Sequence, residues 1–379
     1  AGLTAAWWLV KDSSMLFPAT LAVLVISCPC ALSLATPAAI ASSSRALLEQ
    51  GVLLTRGTAL EVISNVDTVV FDKTGTLTTG TPSIVRTVVN PRIEGYSKER
   101  ILQIAALLEI DSSHPVAKAF SNIEINRDEV RDIWNHEKGV EGRVGYVRYR
   151  LGNAAFTGVN VSEISSDLSR IWLADESTWI ARFDIDDGLR DDLPETIASL
   201  KNNGLDLVIL SGDHDQAVRS VAQRTGIDSW YAEQSPGMKM ELLKTLQAEG
   251  KTALMIGDGI NDAPVLAAAN VSMTVSGASE LANSAADFII TGKSMKYIEY
   301  IFTTGNKTQS VIRQNLLWAL SYNFLAVPFA AAGMIVPWMA ALGMSLSSLL
   351  VVLNSGRLAR RKTCLLYTSP SPRDQSLYL

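Results

Sequence analysis

An α/β catalytic fold, interrupted by an inserted domain and held between membrane helices, is predicted by three features of the sequence. Apolar runs crowd both ends (Gly2 to Val10, Leu16 to Ala41, Asn315 to Gly333, Val336 to Leu353), while the stretch from Glu49 to Lys307 has the mixed polarity of an aqueous unit. Inside that stretch, three short apolar segments lead into Asp72, Asp213 and Asp258, as buried parallel strands do when acids gather at their carboxyl ends. Between the first and the second lies a long interruption, Thr81 to about Asp184, read as a separate domain.

The elements follow in chain order. Gly2 to Val10 is too short to cross a bilayer and is read as the second half of a helix; it lacks the basic lead and cleavage pattern of a signal peptide. Leu16 to Ala41 holds no charged side chain, and about 20 such residues in a helix cross a hydrocarbon core of roughly 30 Å. In its middle stands ISCPCALSLATP. Pro29 lacks an N–H and clashes with the carbonyl one turn back, so the helix is expected to open near Ser27 to Ala31. Broken helices at membrane depth are tolerated where they line a site. Cys28 and Cys30 flank the break, and their thiolates are soft ligands that select Cu(I), Zn(II) and related ions. With three cysteines in 379 residues, no disulfide framework is expected, and a formal charge of -5 gives no reason to expect nucleic acid.

The sharpest signal is VDTVVFDKTGTLTTG. Val66 to Phe71 reads as a buried strand and Asp72 stands at its end, placed to attack a phosphoryl group and hold it as an aspartyl-phosphate. VILSGD, ending at Asp213, and ALMIGDGINDAP, carrying Asp258, Asn261 and Asp262, read as two more strands with acidic ends, suited to Mg²⁺. SPGMKMELLKTLQ places Lys239 at the start of a helical pattern, a point charge suited to phosphate.

Together DKTGTLT, SGD, GDGINDAP and the membrane CPC resemble a P-type ATPase of the heavy-metal-transporting branch, over Gly2 to about Lys362. The resemblance implies a haloacid-dehalogenase-like α/β phosphorylation domain with an inserted α+β nucleotide-binding domain, flanked by transmembrane α-helices. It makes Asp72 the phosphorylated residue, with Mg²⁺ held by Asp72, the main-chain carbonyl of Thr74 and Asp258. It also implies that Ser211, Gly212 and Asp213 contact phosphate and nucleotide, that Lys239 steadies the phosphoryl group, and that Asn261 and Asp262 complete the site. The family usually shows Thr-Gly-Asp-Asn where this chain has Ser211, Gly212, Asp213 and His214; serine keeps the hydroxyl. Soluble phosphatases of the same fold carry a second acid at the position of Thr74, as general acid and base. Threonine cannot serve so, and a phosphorylated Asp72 is expected to persist.

Within the insert, EIDSSHPVAKA offers Glu109 and His114, followed by Gly139 and the pair Gly152, Asn153. In the resembled family such residues surround the adenine of ATP. Where the family tends to show Gly-x-Gly, this chain has Glu137 in place of the first glycine. No P-loop of the form G-x-x-x-x-G-K-[ST] occurs.

The later helices bear on the cargo. Tyr322 and Asn323 lie in one, Met344, Ser347 and Ser348 in the next, and a thioether tilts a soft site towards monovalent copper. The set Cys28, Cys30, Tyr322, Asn323, Met344 and Ser347 is similar to the copper(I)-exporting subgroup, which implies Cu(I) as transported ion, delivery by a cytosolic copper chaperone, and a bacterial inner membrane with catalytic domains in the cytoplasm. Zinc, cadmium or lead export is the alternative, as is a membrane-tethered phosphatase. The expected organisation is membrane helices over 1–48, a stalk and first phosphorylation segment over 49–80, a nucleotide-binding domain over 81–184, a second phosphorylation segment over 185–306, two membrane helices over 307–361 and a non-native tail over 362–379. Full-length relatives carry an actuator domain with a Thr-Gly-Glu motif, so the chain is expected to be the C-terminal part of a pump, deficient in turnover.

Overall fold

The computed structural model describes residues 1–359 apart from 94, 113, 114, 137, 160–168 and 259–261. Thirteen strands form two sheets among the described residues. The first sheet takes β1 (Val52–Leu54), β2 (Thr68–Asp72), β9 (Asp206–Leu210), β10 (Ser229–Tyr231), β11 (Ala253–Gly257), β12 (Val271–Thr274) and β13 (Phe288–Ile290), in the order β1-β13-β12-β11-β2-β9-β10. Every pairing is parallel except that of the edge strand β1 with β13.

Both faces of this sheet are covered, which is why its strands read as unbroken apolar runs. Successive side chains of a strand point to opposite faces. Val69 and Phe71 of β2 join Leu207, Ile209, Leu254 and Ile256 in a core closed by helices Leu193–Asn202 and Asp215–Thr225. Val70 joins Val208, Leu210, Ala253 and Met255 on the other face, under helices Pro236–Ala248 and Ala263–Ala268.

The second sheet is antiparallel: β3 (Thr78–Val89), β4 (Val130–His136), β5 (Gly139–Val144), β6 (Val147–Gly152), β7 (Ser169–Ala174) and β8 (Trp179–Leu189) lie in the order β3-β8-β7-β6-β5-β4. Helix Lys98–Leu108 begins at a cap in which the Arg100 amide donates to Ser97 Oγ, and it presses Ile101, Ile104, Ala105 and Leu108 onto one face. The core thus formed shares no residue with those of the first sheet.

At the other end of the molecule, helix Ser13–Ile26 stops and helix Cys30–Glu49 starts, leaving Ser27 to Pro29 between them, as the proline predicts. Two helical stretches, 13–49 and 337–359, are long and apolar enough to cross a membrane. Gly2–Lys11 is helical too, and Trp8 Nε1 donates to the Ala331 carbonyl at 2.9 Å. Helix Lys296–Ala331 is a single element of 36 residues, about 54 Å long at 1.5 Å per residue, so it runs from beneath the first sheet into the apolar bundle. Cys28 and Cys30, expected as thiolate ligands, are joined here as a disulfide, with Cα atoms 5.5 Å apart. It closes no long loop and staples nothing distant, so the cores, not a cysteine framework, hold the fold.

Candidate functional site

The parallel register sets the site. Asp72 on β2 pairs with Leu210 on β9, and Phe71 pairs with Ile256 on β11, so Asp72, Ser211 and Asp258 emerge from three adjacent strand ends. Asp72 is 6% exposed. Lys239, on the first turn of helix Pro236–Ala248, reaches over from the N-terminal end of that helix. Ser235 caps it, accepting from the Met238 amide at 3.3 Å, and Pro236 fits the first turn where no donor is needed. The Lys239 ammonium donates to Asp72 Oδ1 and, at 2.8 Å, to Asp262 Oδ1.

Carboxylate oxygens of Asp72, Asp258 and Asp262 all lie within 4.8 Å of one another. Burial pushes the Asp72 carboxyl up to about 7, with Asp262 and Asp258 adding to the push and Lys239 opposing it. Burial, then Asp262, raises Asp258 to about 6, while Arg190 opposes. Lys239 is held charged despite its own burial, because Asp72 and Asp262 face it. Three carboxylates, against the Lys239 ammonium bonded to Asp72 and Asp262 and the Arg190 guanidinium acting on Asp258, leave the cluster net negative when all are ionised. That deficit, among hard oxygen donors, fits one divalent cation such as Mg²⁺.

The loop after Asp72 is tightly specified. Gly75 has φ +73°, and a Cβ there would come within 1.7 Å of Asp258 Oδ2, so only glycine lets the loop pass the carboxylate. Thr78 Oγ1 accepts from the Gly75 amide at 3.0 Å and donates to Asp187. Thr74 itself is exposed, in the turn that follows Asp72. Ser211 Oγ accepts from the Asp213 amide at 3.2 Å, Gly212 completes that turn, and the Asp213 carboxylate is paired with Lys73. Asn261 lies outside the described residues.

Of the five residues assigned to adenine, three meet in space. Gly139 and Gly152 pair across β5 and β6, and Asn153 follows. A Cβ on either glycine would strike Phe156, at 2.5 Å from Gly139 and 2.9 Å from Gly152, and Asn153 Oδ1 accepts from the Phe156 amide at 2.9 Å. Their residue types thus answer to close packing and capping within this sheet. Glu109 is buried at the end of helix Lys98–Leu108, whose Leu108 packs against Gly142 of β5. His114 and Glu137 lie outside the described residues.

In the bundle, Cys30 Sγ lies 3.9 Å from Met344 Sδ. Tyr322 packs against Gly343, where a Cβ would come within 2.6 Å of its hydroxyl. Ser347 is buried and accepts from Trp318 Nε1 at 3.2 Å. Asn323 is half-buried beside Tyr322. The structure thus brings Cys28, Cys30 and Met344 to one level of the bundle, with the disulfide holding the two cysteines; the ligand form of that pair is its reduced one.

Sequence reasoning missed Lys73, Gly75, Thr78, Asp187 and Arg190. Arg190 is 9% exposed and donates to the carbonyls of Gly75 (2.7 Å), Thr76 (2.8 Å) and Lys293 (3.1 Å). Its signal was an arginine set among Asp186, Asp187, Asp191 and Asp192, the first pair in the strand that ends at Leu189 and the second just past it.

Residues 66–270 match the haloacid dehalogenase-like hydrolase family. A nitrogen fixation protein FixI of Rhizobium leguminosarum bv. viciae is 39% identical over 361 residues, which cover 93% of this chain and 46% of that protein. A copper-exporting P-type ATPase of Mycobacterium tuberculosis is 34% identical, over 95% of this chain and 49% of its own length. Among solved structures, a zinc-transporting PIB-type ATPase in its E2.Pi state superposes with a TM-score of 0.74 at 29% identity, covering 88% of this chain and 57% of that one. The chain spans about half the length of the curated relatives it matches. With the aspartate strand ends, the lysine and the broken Cys-Pro-Cys helix in place, and similar over most of its length to parts of metal-transporting P-type ATPases, the chain belongs to the haloacid dehalogenase-like hydrolase family.

Proposed function

We propose that the chain serves ATP-driven export of monovalent copper, or silver in its place, through an aspartyl-phosphate on Asp72. The observation that carries this reading is one helix, Lys296–Ala331, joining two chemistries: its start is held by Arg190 and Asp192, next to the loop after Asp72, and between Ala319 and Tyr322 it passes the sulfur pair of Cys30 and Met344. In the proposed transfer an Asp72 carboxylate oxygen attacks the γ-phosphorus of ATP. The new O–P bond forms as the bond from phosphorus to the bridging oxygen breaks, and ADP leaves with the electron pair. Lys239 neutralises charge on the transferring group. Asp72, Asp258 and the Thr74 carbonyl would hold Mg²⁺, with Asp262 and Asn261 completing the site; bound there, the ion screens charge on the phosphoryl oxygens. Ser211, Gly212 and Asp213 would orient phosphate, and Glu109, His114, Gly139, Gly152 and Asn153 the adenine. Thr74 supplies no general base, so the acyl phosphate outlasts the transfer.

The cargo site would be Cys28, Cys30 and Met344, with Tyr322, Asn323 and Ser347 around them. Soft thiolates suit copper and zinc alike, and the zinc-transporting structural neighbour keeps a divalent cargo in view. Met344, beside Cys30, favours copper. A bacterial inner membrane, cytoplasmic catalytic domains and delivery by a copper chaperone complete the proposal.

The test is labelling of the reduced chain with γ-labelled ATP and Mg²⁺, in the presence of Cu(I), Ag(I) or Zn(II). A hydroxylamine-sensitive label on Asp72, raised by Cu(I) and Ag(I), is expected. Activation by Zn(II) alone moves the cargo to a divalent ion. Phosphate-ester hydrolysis with no acyl phosphate returns the reading to a membrane-tethered phosphatase.

A further inference from the structure

The segment that leaves the second sheet, residues 189–195, touches both the nucleophile loop and the start of the long helix. Arg190 sends two N–H groups to the carbonyls of Gly75 and Thr76, three and four residues after Asp72, and a third to the carbonyl of Lys293. Asp192, two residues on, turns the other way: its Oδ2 accepts from Ser294 Oγ at 2.5 Å and from the Met295 amide at 2.8 Å. Met295 is the residue before helix Lys296–Ala331. A carboxylate at that end satisfies an otherwise orphan amide and complements the helix dipole. Leu193, Ile197, Met295, Tyr297, Ile298 and Leu77 share one buried core, so the clasp is packed and not merely bonded.

We infer that Arg190 and Asp192 form a clasp of positioning residues that transmits a change at Asp72 to the helix carrying the cargo-site residues. Neither residue touches the reacting atoms. Arg190 reads the loop beside Asp258, where a phosphoryl group and its cation would displace the chain. Asp192 passes the shift to the helix start through a bonded carboxylate. The inference rests on the proposed phosphorylation of Asp72, but one arm of its test does not need the cargo to be known.

That arm is hydrogen exchange at amides 295–301, with and without Mg²⁺ and beryllium fluoride, a mimic of a carboxyl-bound phosphoryl group. In the unaltered chain the mimic should change exchange there by about tenfold, as expected of a local opening biased by roughly 1.4 kcal/mol. Asp192→Ala should abolish that response while the mimic still protects amides of β2. Asp192→Asn keeps one acceptor oxygen and should restore most of it, and Ser294→Ala, which carries little risk to folding, should reduce it. A full response in both Asp192→Ala and Ser294→Ala overturns the clasp.

The second arm uses ATP labelling. Asp192→Ala should keep the basal labelling seen with Mg²⁺ and no copper while the fold-activation by Cu(I) falls towards one; equal activation in variant and parent overturns the inference. Arg190→Lys, which cannot reach three carbonyls at once, should lower the rate of labelling at saturating ATP by about a hundredfold with the half-saturating ATP concentration (KM) little changed, the signature of a displaced reacting group. A rise in KM alone would instead place Arg190 in nucleotide binding and overturn its positioning role. If the parent chain takes no label from ATP with any metal, the functional reading fails, and the exchange arm still decides the clasp.

Discussion

Asp72 and its neighbours show how far a single residue can be read from the sequence. Asp72, Asp258, Asp262 and Lys239 are legible because each follows an apolar strand or opens a helix, positions whose geometry is set by local pattern. Arg190 and Gly75 are not, because their reasons lie about 115 and 183 residues away in the chain, in the Gly75 carbonyl and the Asp258 carboxylate. Three expectations belong at this scale. Asp72→Asn keeps the shape but cannot carry an acyl phosphate, so mass analysis after ATP should find no phosphorylated peptide; normal labelling would sink the assignment. Gly75→Ala should cut labelling by about a hundredfold or more, since the added carbon meets Asp258 and the positive φ resists a side chain, and a variant with parental rates would refute the close approach seen here. The third concerns pH. Burial raises Asp72 to about 7 and Asp258 to about 6, above the ordinary value of 3.8. The folded state therefore holds protons that the unfolded chain releases, and this contribution to stability, complete below about pH 4, is lost as pH rises through about 7. Mg²⁺ prefers the ionised forms and should reverse the trend. Denaturation of the Mg²⁺-free chain should show this loss between pH 4 and 8, with Asp258→Asn flattening it.

At the scale of the element, the broken helix was readable and the long helix was not. Pro29 announces a break wherever it falls, and the gap of Ser27 to Pro29 lies within the predicted Ser27 to Ala31. Helix Lys296–Ala331 hides its first half: residues before Asn315 are amphipathic, burying Ile298, Ile301, Thr304 and Thr308 on one face, so hydropathy marks only the second half. Its close docking is visible at Gly305, where a Cβ would come within 2.2 Å of Ile63. The disulfide was also not legible, because pairing depends on how near the break brings two side chains. These elements carry a prediction about the cargo. Met344→Leu conserves volume while removing the sulfur 3.9 Å from Cys30, so it should leave melting within about 1.5 kcal/mol of the parent and weaken Cu(I) activation. Cys28→Ser and Cys30→Ser replace soft ligands by hard ones and should each abolish Cu(I) activation while sparing the copper-free labelling from ATP and Mg²⁺. Undiminished activation in either cysteine variant would remove the sulfur site from the reading.

For the molecule as a whole, the two sheets divide the chemistry between cores that share no residue. The acid cluster stands at strand ends of the seven-stranded sheet, and of the residues proposed for adenine Gly139, Gly152 and Asn153 lie on or next to the six-stranded one. Their only continuous connections are the loop after Asp72, which runs into β3, and the passage from β8 through Arg190 into helix Leu193–Asn202. The sequence marks this division only as a long interruption, Thr81 to about Asp184, between the first and second acidic strand ends. The reach of the paired strands to Thr78 and Leu189 was not legible, because alternating half-buried residues mark a strand without marking which sheet it joins. Two cores with a narrow connection should open as separate cooperative units. A ligand stabilises the unit it binds, by about 2.7 kcal/mol at a hundredfold excess over its dissociation constant, and leaves the other nearly unchanged. Hydrogen exchange can read both at once. Mg²⁺ with beryllium fluoride should slow amides of β2 and β11 and spare those of β5 and β6, whereas ATP without Mg²⁺ should do the reverse. If either ligand alone slowed both sets to the same degree, the two sheets would be one cooperative unit and the division of their cores would not divide their stability.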